Sequence, residues 1–114
     1  PYVDKAKWQD IPCRVEANTE RILELFAAKQ VQGTFFVLGW VAQRYPELVK
    51  KIVAGGHEVA SHGWDHRRVN TQTRQEFRQD IERTRTLLQD VSGTAITGYR
   101  AASYSIGAEQ AWAI

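Results

Sequence analysis

Two histidines and the strand before them carry most of the chemistry this sequence offers. His62 and His66 stand four residues apart in "SHGWDH", the spacing that sets two imidazoles on one face of a helical turn. Imidazole nitrogen ligates zinc and similar divalent ions; a catalytic ion also needs a further protein ligand and an open position for water. A solvated loop displays the same pair, so place has to decide between the two readings. The pair follows directly on "HEVAS", which reads as a short strand, and active sites of parallel α/β sheets gather at the carboxyl ends of strands. His57 opens that strand and by alternation faces away from His62, so it is read as structural. Asp65, between the histidines, is either a partner for an imidazole N–H or a solvated carboxylate.

The elements that must position these residues alternate regularly. Pro1 to Glu16 shows no sustained period and is expected to be loop. Asn18 or Thr19 can cap a first helix with Ile22, Leu23, Leu25 and Phe26 on its apolar side, fading near Gln30. "VQGTFFVLG", bounded by Gly33 and Gly39, reads as a buried strand. A second helix runs from about Trp40, kinked or restarted at Pro46, and stops at Gly55-Gly56. After the histidine loop, Thr73 caps a third helix with Phe77, Ile81, Thr84 and Leu88 on one side, ended by Ser92-Gly93. "TGYRAAS" is expected to be a third strand, and "AEQAWAI" the start of another helix. The alternation predicts βαβ units on a parallel sheet, hence an α/β fold. Three units do not close a barrel, which in complete form takes ~250 residues.

Composition narrows the function classes. The 114 residues make one domain, 43% hydrophobic and 25% charged, ordinary for a globular chain. Fifteen basic and 13 acidic side chains, net +2, are mixed along the chain without a like-charge block, which argues against nucleic-acid binding. No apolar run approaches the ~20 residues of a membrane span. Cys13 is the only cysteine, excluding an internal disulfide and a cysteine-rich metal site. The chain opens on Pro1 and stops at Ile114 within a helical pattern, so both ends look cut and compartment is left open.

"TFFVLGWVA", "GGHEVASHGWDH" and "GYRAASYSI", in this order and spacing, resemble the NodB-homology polysaccharide deacetylases, carbohydrate esterase family four. The subgroup most similar is the one often found near bacterial exopolysaccharide-export genes. The resemblance runs from the "RVEANTERILELF" helix to Ile114, making residues 1–114 the N-terminal part of one such domain. It implies a distorted (β/α) barrel, here partial with about three β/α units, and metal-dependent removal of N-acetyl groups from the amino sugars of a polysaccharide. His62 and His66 match the family's two histidine metal ligands, for a divalent ion such as zinc. Arg100 matches the arginine that orients the catalytic aspartate, and Ser103 falls where a backbone N–H helps hold the oxyanion. Trp64 and Tyr104 are candidate sugar-stacking residues beside that rim; Trp40 is read as packing.

The pattern is incomplete. The family's aspartate pair, one the base and one the third metal ligand, is expected just upstream; Asp4 and Asp10 sit in no matching strand and are not assigned. The motif with the catalytic histidine is expected beyond Ile114, so residues 1–114 alone are expected to be inactive. The arginine motif's usual proline is Ala102 here, which should loosen the loop presenting Arg100. Two alternatives stay open: an allantoinase-like hydrolase of small cyclic amides, and a non-catalytic carbohydrate-binding relative.

Overall fold

The computed structural model describes residues 5–10 and 14–114. Asp4, Pro12 and Cys13 lie outside the described residues, as does the side chain of Asp10. The expected loop at the start holds a 3-10 helix over Lys5–Asp10. Trp8 anchors it by meeting Trp40 edge-on, with ring centroids 5.2 Å apart. That long-range contact leaves no periodic trace in a six-residue segment.

Helix α1 covers Val15–Lys29, beginning upstream of the expected Asn18 or Thr19 cap. Arg14 occupies the cap position without a side-chain bond, and the Asn18 N–H donates to the Arg14 carbonyl at 3.0 Å. At the other end Gln30 turns left-handed (φ 56°), and the Val31 N–H returns to the Phe26 carbonyl at 2.9 Å. The expected apolar face is split. Leu23 packs on the core and Phe26 on Phe35, while Ile22 and Leu25 remain 43% and 56% exposed.

Strand β1 (Thr34–Val37) pairs in parallel with β2 (Glu58–Ser61), Thr34 opposite Glu58 and Val37 opposite Ser61. The crossover between them is α2 (Gly39–Arg44) and α3 (Pro46–Ala54), so Pro46 does open a second piece. Proline suits the first position of a helix, where the missing N–H would have no partner. Leu48, Val49 and Ile52 of α3 are buried. With Val37, Ala42, Val59, Leu88 and Ile96, Val49 and Ile52 make the central core.

Helix α4 (Arg74–Ser92) starts on the expected Thr73 with a reciprocal capping box. The Glu76 N–H donates to the Thr73 hydroxyl at 3.1 Å and the Thr73 N–H to the Glu76 carboxylate at 2.9 Å. Gly93, at φ 70°, ends it. Phe77, Thr84 and Leu88 are buried as expected, and Ile81 is half-buried.

The third strand is a correction. "TGYRAAS" contributes one bridge, Ser61 to Tyr99, held by Ser61 N–H to the Gly98 carbonyl at 2.8 Å and Arg100 N–H to the Ser61 carbonyl at 2.9 Å. On one side of the bridge the Ile96 N–H bonds to the Gln89 side chain of α4. On the other, the chain bends at Ala102, whose carbonyl accepts the Ser105 N–H. The last segment forms a 3-10 helix over Ala108–Ala113, with Trp112 edge-on to Phe77 at 5.6 Å. The described fold is therefore α/β and parallel, with two paired strands and a bridge rather than three complete β/α units. No helix among the described residues is long and apolar enough to cross a membrane.

Candidate metal centre

His62 leaves the carboxyl end of β2 already fixed. Its N–H donates to the Val37 carbonyl at 3.0 Å, extending the β1–β2 ladder by one bond. Its ring Nδ1 lies 2.7 Å from the Arg100 carbonyl. A carbonyl oxygen only accepts, so Nδ1 carries the proton and Nε2 keeps its lone pair. A backbone carbonyl that sets tautomer and ring orientation in this way is the usual support of a metal-ligating histidine.

His66 reaches the same place by another route. Residues 62–66 are a loop, not the helical turn that their spacing invites. Gly63 (φ 77°) and His66 (φ 64°) are both left-handed, and the chain doubles back so that the two imidazoles lie 4.9 Å apart between centroids, inclined at 68°. Burial first, then the charges of His62, Lys5 and Arg68, pushes the His66 imidazole below its ordinary range. The neutral ring is the form that ligates. Asp65 forms an ion pair with Lys5 at 3.5 Å.

The loop that follows the bridge lies against this one. The Val69 N–H donates to the buried Ser105 hydroxyl at 2.7 Å, fastening the two loops together. Ser103 (φ 54°) and Tyr104 (φ 53°) are consecutive left-handed residues, both exposed, Tyr104 to 96%. Of four described non-glycine residues with positive φ, three are His66, Ser103 and Tyr104, so backbone strain concentrates on this rim. Arg100 lays its guanidinium over the Phe36 ring of β1 at 4.6 Å.

The structure places Trp64 elsewhere than the sugar-facing rim. Its indole lies against Gly39 at the start of α2, and the Arg83 guanidinium of α4 stacks on it 3.4 Å from the ring centroid. With these neighbours the ring is a packing element between helices. His57 is structural: buried, its Nδ1 accepts the Gly33 N–H at 3.1 Å and its ring packs on Phe26 and Phe35. Sequence reasoning missed Lys5, which pairs beside His66, and Asp80, whose carboxylate accepts the Trp64 N–H at 3.1 Å. Asp80 had a signal. It interrupts the apolar stripe of α4, three residues after Phe77 and four before Thr84.

Two imidazoles, one with its tautomer fixed, fit two corners of a tetrahedral divalent-ion site. Among the described residues no group of three His, Cys, Asp or Glu side chains comes together to complete it.

The sheet, the crossover and the histidine loop together define a known class of domain. The family model described as polysaccharide deacetylase matches residues 7–113, and the chain belongs to that family. It is 37% identical over 75 residues to a peptidoglycan-N-acetylglucosamine deacetylase of Listeria monocytogenes, a match covering 66% of this chain and 16% of that protein. Among solved structures it superposes on a peptidoglycan deacetylase from Bacillus subtilis with TM-score 0.77 and 29% identity, over 88% of this chain and 48% of the other. A carbohydrate esterase family four pseudoenzyme from Bacillus anthracis shares the fold at TM-score 0.80 and 23% identity, over 86% of this chain and 35% of the other. The chain thus spans a minor part of the relatives it matches.

Proposed function

We propose that the protein containing this chain hydrolyses the amide bond of N-acetylated amino sugars in a polysaccharide, releasing acetate. The observation that carries the reading is the His62 Nδ1–H donated to the Arg100 carbonyl at 2.7 Å, which leaves Nε2 free beside a second imidazole. His62 and His66 would hold the divalent ion, zinc by donor type; once bound, it would polarise the acetyl carbonyl and lower the pKa of a water. Arg100 has two tasks. Its carbonyl orients His62, and its side chain, above Phe36 at the end of β1, would steer the upstream aspartate that takes the proton. The Ser103 backbone N–H is assigned to the oxyanion, and the open Tyr104 ring to a sugar face. Trp64 is withdrawn from substrate contact because its indole already lies against Gly39 and Arg83. Relatives named as peptidoglycan deacetylases support the substrate class.

The test is zinc binding and acetate release measured together on the full-length protein, wild type and His62→Ala. Both activities present in wild type and lost in the variant support the reading. Turnover of small cyclic amides but not of N-acetylated oligosaccharide would shift it to the allantoinase-like class. Ala102, standing where the family's motif has proline, favours a non-catalytic carbohydrate-binding relative as the second reading. Wild type that binds oligosaccharide, takes up no zinc and releases no acetate would select that one.

A further inference from the structure

We infer that Asp80 is a positioning residue for the His62–His66 pair, acting through the backbone of Trp64; this rests on the metal reading above. The two histidines are not held alike. His62 has a ladder bond to Val37 and a ring bond to Arg100. His66 is exposed, left-handed, and sits between two backbone anchors, Trp64 before it and Val69 after it. Trp64 therefore sets how far the second imidazole stands from the first.

Trp64 is clamped from both sides. Its carbonyl accepts the Trp40 N–H at 2.9 Å from α2, and the neighbouring Gly63 carbonyl accepts the Gly39 N–H at 2.9 Å. From α4, Asp80 Oδ1 accepts the Trp64 N–H at 3.1 Å, and Arg83 caps the indole. The second Asp80 oxygen lies 3.0 Å from where a Cβ on Gly63 would stand, and Gly63 is at φ 77°. A side chain there would both strain the backbone and push the carboxylate off the loop. The loop's sequence and the acid on α4 thus fit each other.

The carboxylate is costly where it is. Burial is the main cause raising its pKa and Asp65 adds to it, opposed by the Trp64 N–H and by Arg83. An acid kept half-buried on an otherwise apolar helix stripe needs a task, and the only hydrogen bond recorded for it runs to the histidine loop.

The experiment titrates the full-length protein with Co²⁺, whose visible spectrum reports ligand geometry, in wild type, Asp80→Ala and Asp80→Asn. Asp80→Ala removes the acceptor, and supporting-shell losses typically weaken metal binding about 10–100-fold; that loss is expected, with an altered Co²⁺ spectrum. Asp80→Asn keeps an oxygen for the Trp64 N–H and is expected to stay within about threefold of wild type, with the wild-type spectrum. Should Asp80→Ala fail to fold, Asp80→Ser, too short to reach Trp64, takes its place with the same expectation. Wild-type affinity and spectrum in the alanine or serine variant would overturn the inference alone. So would an asparagine variant as weak as alanine, which would make charge the agent. A wild type that takes up no Co²⁺ would overturn the metal reading and this inference with it.

Discussion

Gly39→Ala isolates the clamp on Trp64. A Cβ built on Gly39 would stand 2.4, 2.9 and 3.0 Å from three carbons of the Trp64 indole. Non-bonded carbons rest at about 3.5–4.0 Å, so the ring would have to retreat by roughly 1 Å. It has little room to do so, because Arg83 lies over the ring at 3.4 Å from its centroid and the Trp64 N–H is held by Asp80. Overpacking of this kind costs about 1–3 kcal/mol. Near 2 kcal/mol the folded-to-unfolded ratio falls on the order of 30-fold. Urea unfolding of the full-length protein reads this as a lower midpoint at unchanged slope. The double variant with Trp64→Leu sharpens the assay, because removing the indole removes the clash, and Gly39→Ala should then cost about 0.5 kcal/mol or less. An unshifted midpoint in the single variant, or the same loss in both backgrounds, would refute the crowding argument.

Three further outcomes are expected. The Asp80 carboxyl is raised above its ordinary value chiefly by burial, so its charge opposes folding. That opposition is complete above the folded-state pKa and vanishes as pH falls through it toward the unfolded value near ~3.9. Asp80→Asn should therefore match or exceed wild-type stability at pH 7, with the gap closing on acidification; urea midpoints between pH 7 and 4 that diverge instead would contradict it. Thr84 is fully buried in α4 and its hydroxyl has no partner among the described residues, so the near-isosteric Thr84→Val should stabilise by about 1–3 kcal/mol, read as a higher melting temperature. Ala101 already adopts the extended φ −70°, ψ 142° that a following proline requires, and Ala102 opens a 3-10 turn. Ala102→Pro should therefore stabilise by about 0.4–1 kcal/mol, and a lower melting temperature would show that the buried site cannot take the ring.

That geometry also revises the expected effect of alanine at position 102. The turn presenting Arg100 forms without proline, because the Ser105 N–H closes it onto the Ala102 carbonyl and the Ser105 hydroxyl ties it to Val69. Alanine leaves more freedom to the unfolded chain than proline would, while the folded loop keeps its anchors.

What the sequence by itself determined is what short-range chemistry decides. The β-branched and aromatic run between Gly33 and Gly39, the break at Pro46, the Thr73–Glu76 capping box and the stop at Gly93 act within a few residues, and each appears where its pattern predicts. The histidine pair following a strand was legible for the same reason. Tertiary structure decided what depends on distant partners. The early 3-10 helix rests on Trp8 meeting Trp40, and the third strand shrank to a bridge because Gln89 captures the Ile96 N–H. Trp64 turned from a rim residue into a packing one because Gly39 and Arg83 enclose it. The approach of His66 to His62 was predicted from helical spacing and is achieved by a left-handed loop held from α2 and α4. Spacing names the residues that can meet; the contacts that bend the chain until they do come from parts of the sequence no local window contains.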